Sequence, residues 1–136
     1  MKKAFSTLLT LVFAAVLFLS IGCSESTTTE SVATIYGSWT RLITDDAGLQ
    51  FNAELKIDEN SYNFIVLDEG TGHTDSYAEL TISGNKMLIV SDEDCLSLGE
   101  AATYEYLLTS EKLSLFAVED SCYPRVKAIQ GIWNKK

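Results

Sequence analysis

Phe51-Asn52-Ala53-Glu54-Leu55-Lys56-Ile57 is apolar at every second position and polar between. A period of two is the signature of a β-strand with one face in a core and the other in water. Working outward, similar runs occur at Tyr36–Ile43, Tyr62–Leu67, Ser76–Ile82, Lys86–Val90, Thr103–Thr109, Lys112–Val118 and Ile129–Asn134. Between them stand groups with turn chemistry: Asp45-Asp46-Ala47-Gly48, Asp58-Glu59-Asn60, Asp68-Glu69-Gly70-Thr71-Gly72, Ser83-Gly84-Asn85 and Thr109-Ser110-Glu111. Turns this short join antiparallel neighbours. Only Tyr123–Ile129, with Pro124 near its start, suggests a helical turn. Eight short strands laid flat would leave two open edges, and closure removes both. The expectation is an all-β domain over residues 35–136, a small antiparallel up-and-down barrel of about eight strands. A sandwich of the same strands is the alternative.

The chain ahead of this domain reads as an address. Lys2 and Lys3 precede Leu8–Leu19, in which Thr10 is the one polar residue, and the run ends at Ser20-Ile21-Gly22-Cys23. That is the charged, apolar and small-residue order of an export signal over residues 1–22. Ile21-Gly22-Cys23 resembles the end of the bacterial lipobox. The resemblance implies that Cys23 becomes the mature N-terminus and carries the lipid, palmitate-type acyl chains holding about 0.8 kcal/mol per buried methylene. A single membrane-spanning helix is the rival reading of the same run. Residues 23–34 continue as a Ser/Thr-rich linker with almost nothing to bury, expected to be a flexible tether. Ser24, rather than aspartate, follows the cysteine, which points to the outer membrane of the cell envelope.

Among all 136 residues, 46% are apolar, and only one proline and eight glycines occur, which fits one globular domain. Removing residues 1–22 takes away two lysines and no acid, so nineteen acids face eight bases and the net charge moves from −9 to −11. Nucleic-acid binding needs clustered basic residues, and these are few and scattered. With Cys23 lipidated, Cys95 and Cys122 remain as an even pair in an oxidising compartment, expected to form a disulfide. A metal or redox pair is the competing reading, but no Cys-x-x-Cys occurs and His73 is the one histidine.

Gly37-Ser38-Trp39 opens the first strand, and Gly131-Ile132-Trp133 repeats the spacing on the last. A strand glycine lets another group approach closely, and a tryptophan two positions on shares its face and can plug a barrel end. In a closed barrel the two tryptophans could meet at the seam. The Gly-x-Trp at the head of the first strand, the strand count and the lipid-anchored export signal resemble the small bacterial lipocalin-like lipoproteins. The ending from Cys122 through Arg125 and Gly131 to Trp133 is similar to the tail seen in them. That resemblance covers about Ile35 to Trp133 and implies an up-and-down barrel that binds small apolar molecules. It also implies that Arg125 stacks on Trp39 as a cation–π pair.

The candidate ligand-binding set is Phe51, Tyr62, Phe64, Tyr104 and Tyr106, aromatics on alternating strand positions that would face the interior together. An eight-stranded barrel either fills with side chains or holds one small ligand. Asp92-Glu93-Asp94 and Asp68-Glu69 read as solvated loop charge, without the spacing of a calcium loop. His73, in a polar loop, reads as a surface histidine with no nucleophile motif nearby. No cofactor, metal site or catalytic set is expected, and the chain is expected not to be an enzyme. The first functional expectation is a lipid-anchored carrier or binder of a small apolar molecule. The second is a filled barrel that recognises an envelope protein through Asp92, Glu93 and Asp94.

Overall fold

The computed structural model describes residues 33–136; the signal segment, the proposed lipid site Cys23 and most of the linker lie outside them. Eight strands run in chain order: β1 (Gly37–Thr44), β2 (Gln50–Ile57), β3 (Ser61–Val66), β4 (Ser76–Ser83), β5 (Lys86–Asp92), β6 (Ala102–Leu108), β7 (Lys112–Glu119) and β8 (Gly131–Lys135). Each pairs antiparallel with the next, and β8 returns to β1, closing an up-and-down barrel. A 3-10 turn, Glu93–Cys95, follows β5, and one helix, α1 (Tyr123–Ile129), precedes β8. Ile129, expected in the last strand, instead ends this helix.

The period of two becomes inside and outside. On β2, Phe51, Ala53, Leu55 and Ile57 are all buried in the core. They are joined by Trp39, Leu80, Met87, Ile89, Leu113, Leu115 and Trp133 from other strands. Glu54 points outward yet is covered, because Lys136 at the chain's end reaches across to its carboxylate at 2.5 Å. Among the described residues no helix is long and apolar enough to cross a membrane.

The two ends of the barrel differ. At one end, tight connections join β2 to β3, β4 to β5 and β6 to β7. At the other lie the long connections 45–49, 67–75, 93–101 and 120–130, the last containing α1. Several loop acids have structural work at this second end. Asp45 accepts from the Ala47 and Leu49 N–H groups, Asp68 from Asn52, and Asp75 from the Val66 N–H. These bonds satisfy backbone donors where strand pairing stops.

At the β1–β8 seam, Trp39 stands opposite Lys135. Lys135 Nζ lies 4.3 Å from the centre of the Trp39 ring, and the Arg41 guanidinium 4.7 Å from that of Trp133. Each indole N–H donates to the carbonyl four residues back, Ile35 and Ile129 respectively, at 2.8 Å. Gly37 and Gly131 have φ of +124° and +136°, and a Cβ on either would collide with the cation: Lys135 Nζ at Gly37, Arg41 Nη1 at Gly131. The repeated Gly-x-Trp is thus a two-fold device in which each strand supplies a tryptophan and receives the other's cation. The expected stacking of Arg125 on Trp39 is corrected here. The register sets Lys135 opposite Trp39, whereas Arg125 belongs to α1 and is held elsewhere.

Candidate functional site

Seven residues make too short a helix to stand alone. Pro124 suits the first turn of α1, and Cys122 at its N-cap is joined to Cys95 with the Cα atoms 5.8 Å apart. The expected disulfide is therefore present. At the C-terminal end, Arg41 of β1 donates to the carbonyls of Lys127, Ala128 and Gln130, where a cation also suits the helix dipole. Lys127 Nζ reaches Asp46 at 2.8 Å. β1 and β5 are diametrically opposed in an eight-stranded ring. Fastened to β1 at one end and to the 3-10 turn after β5 at the other, α1 is a strap across the long-loop mouth.

Under the strap lies a buried ionic network. Arg125 Nη1 is 3.0 Å from Asp92 Oδ2 and Nη2 is 2.7 Å from Asp120 Oδ1. The Tyr62 hydroxyl meets Asp92 at 3.4 Å, and the Tyr104 hydroxyl donates to Asp120. All five guanidinium N–H groups are used, the remaining ones by Asp120 Oδ2 and the carbonyls of Gly99 and Glu100. Burial works to raise the Asp120 carboxyl, but hydrogen bonds from Arg125, Tyr104 and the Cys122 N–H outweigh it and hold the group below its ordinary value. Burial, followed by the charge of Asp92 for Tyr62 and the bond to Asp120 for Tyr104, pushes both phenols well above their ordinary value.

Asp92 is only 3% exposed, so reading it as solvated loop charge is corrected. The cause is a β-bulge. Glu79 pairs with Ser91 but Leu80 pairs with Ile89, leaving Val90 as an extra residue, and the alternation after it is reversed so that Asp92 faces inward. The same device recurs on β7. Thr103 pairs with Glu119 and Tyr104 with Ala117, Val118 is the extra residue, and Asp120 follows inward. Asp120 was not singled out from sequence. The signal is present in Val90-Ser91-Asp92 and Val118-Glu119-Asp120, an outward valine where the period of two fails, followed by an aspartate. Glu93 and Asp94 remain exposed on the 3-10 turn.

Beside the strap a cavity of about 420 Å³ opens at the long-loop end. Its apolar wall is built by Ile43, Phe51, Phe64 and Ile129, with Tyr62, Asp92 and Arg125 deeper and Asp46, Asp94 and Lys127 toward the loops. His73 stacks on Phe51, with ring centres 4.3 Å apart, and its Nε2 sits 3.1 Å from Asp45. Of the five aromatics proposed to face a ligand, Phe51, Tyr62 and Phe64 line this cavity. Tyr104 is buried behind it in the ionic network. Tyr106 is half-buried and donates to the Gly84 carbonyl in the tight β4–β5 turn, at the opposite end. Among the described residues, no group of three or more His, Cys, Asp or Glu side chains is placed to hold a metal ion.

Comparison with family models, with curated proteins and with solved structures finds no match.

Proposed function

We propose that this chain is a lipid-anchored, lipocalin-like envelope protein whose barrel binds or carries a small apolar molecule at the long-loop end. The observation behind this is the cavity of about 420 Å³, walled by Phe51, Phe64, Ile43 and Ile129 and backed by a buried ionic floor. Its volume falls in the range of small-molecule sites, and the combination of apolar walls with a few convergent polar groups is what such sites use. The closed eight-stranded barrel is compatible with the lipocalin-like resemblance. The lipobox-like end of residues 1–22 supports anchoring through Cys23 and the membrane as partner, and Ser24 after the cysteine supports outer-membrane placement. In this reading the barrel does no chemistry on its ligand.

The test is native mass spectrometry of residues 24–136 after incubation with a lipid and metabolite extract of the producing cells. A retained small-molecule mass that is lost in Phe64→Ala supports the reading. Protein that stays empty with every extract overturns it. For the anchor, a fatty-acid probe should label the wild-type chain and not Cys23→Ala.

A second reading, a protein-interaction module, draws on the outer wall. Leu42, Leu107, Phe116 and Ile132 are all exposed on adjoining strands β1, β6, β7 and β8. Crosslinking in the envelope through a photoreactive residue at position 116 would capture a partner if this face has one.

A further inference from the structure

If the cavity is the binding site, its wall also decides what charge the occupant bears. We infer that it accepts neutral or cationic aromatic molecules of one or two rings and rejects carboxylates and other anions. The inference rests on the binding reading and concerns the donors and acceptors that line the space.

Three basic side chains stand in the wall, and each already faces an acid. Arg125 spends every one of its five N–H groups on Asp92, Asp120 and the carbonyls of Gly99 and Glu100. Lys127 is paired with Asp46 at 2.8 Å and lies 5.3 Å from the centre of the Tyr123 ring. His73 Nε2 is engaged by Asp45, and its ring is stacked on Phe51. An incoming carboxylate could take a hydroxyl donor from Thr74 or Ser76 or a spare N–H of Lys127, but the acids of the wall, Asp45, Asp46, Asp92 and Asp94, outnumber its cations, Arg125 and Lys127. It would also stand against Asp92 and Asp94, and like charges in a partly desolvated space exclude a ligand more strongly than in water.

Carboxylate acceptors are also spare. The Asp94 carboxylate has no hydrogen-bond or ion-pair partner among the described residues. Asp92 Oδ1 receives only the Asp94 N–H, leaving a free lone pair on a carboxylate that lines the cavity. The faces of Phe51, Phe64 and Tyr62 offer an aromatic ring a place to lie. An ammonium or hydroxyl on the occupant then meets an acceptor without disturbing the network.

The test is calorimetric titration of the full chain in detergent micelles, with empty micelles subtracted, using three probes that share one ring. These are tryptamine, the neutral alcohol tryptophol, and indole-3-acetate. Tryptamine and tryptophol should each bind at least about tenfold tighter than indole-3-acetate. Equal or tighter binding of indole-3-acetate overturns the inference and leaves the cavity a binding site. Absence of binding by all three overturns the binding reading and the inference together. Asp94→Lys, an exposed change remote from the core, should cut the tryptamine preference over indole-3-acetate by about tenfold or more. An unchanged preference in that variant contradicts the assigned role of the acidic rim.

Discussion

Arg125 is a buried cation between two buried carboxylates, and its value to the fold lies in what its loss would expose. Arg125→Met would leave Asp92 and Asp120 without their counter-ion, and removing one partner of a buried network costs about 3–5 kcal/mol. Urea denaturation measures this directly; a loss under about 1 kcal/mol would place the variant among ordinary surface changes. The same network shapes the pH profile. Asp120 is held below its ordinary value of 3.8, so its contribution is complete above that value and is lost as pH falls through the lower folded value. Tyr62 and Tyr104 are held above their ordinary 10.0, so theirs is complete below pH 10.0 and is lost as rising pH ionises the unfolded chain first. Thermal melts should show a plateau with a fall at each limb, and Tyr62→Phe with Tyr104→Phe should flatten the alkaline fall. At this scale the sequence was only partly legible. Asp92 sits in a uniformly polar run, and its inward turn depends on a bulge in the pairing with β4, whose one trace in the sequence is Val90, where the period of two fails. The partner of Trp39 was missed for a related reason. Strand register, not proximity to the C-terminus, selects Lys135.

Among the elements, α1 depends most on its fastenings. Its ends are fixed by the Cys95–Cys122 disulfide and by Arg41 on the last carbonyls. Cys95→Ser and Cys122→Ser should cost similar stability, about 2–4 kcal/mol for a cross-link spanning 27 residues. Hydrogen exchange should then quicken across 120–130 while the β2–β3 and β6–β7 hairpins keep their protection. Uniform quickening throughout would contradict the strap. Strands were the most legible elements because alternation is local. Phe51–Ile57 has core residues at every second position, as its pattern requires. Helix α1 was legible over Tyr123–Ile129, with Pro124 in its first turn, but Ile129 also reads as the start of the last strand, which begins only at Gly131, whose φ of +136° leaves room for Arg41. The loop acids were legible as turn formers in kind. Which backbone N–H each one would accept was not, since the partners of Asp68 and Asp75 are Asn52 on β2 and Val66 on β3, sixteen and nine residues back.

For the whole molecule, closure follows from eight successive antiparallel pairings and the return of β8 to β1. Whether such a barrel is filled or hollow depends on how bulky residues from different strands meet, and that is beyond a pattern read one strand at a time. Here Trp39, Trp133, Leu55 and Met87 fill the core, while α1 roofs the long-loop end and leaves space against Phe51 and Phe64. Nitrogen-15 NMR of residues 24–136 titrated with indole probes that space. If the cavity takes up a small apolar ring, saturable shifts appear at the amides of Phe51, Phe64, His73, Ala128 and Ile129, with Leu107, Phe116 and Ile132 unmoved. Shifts confined to those outer-wall residues, or none at all, would contradict that uptake.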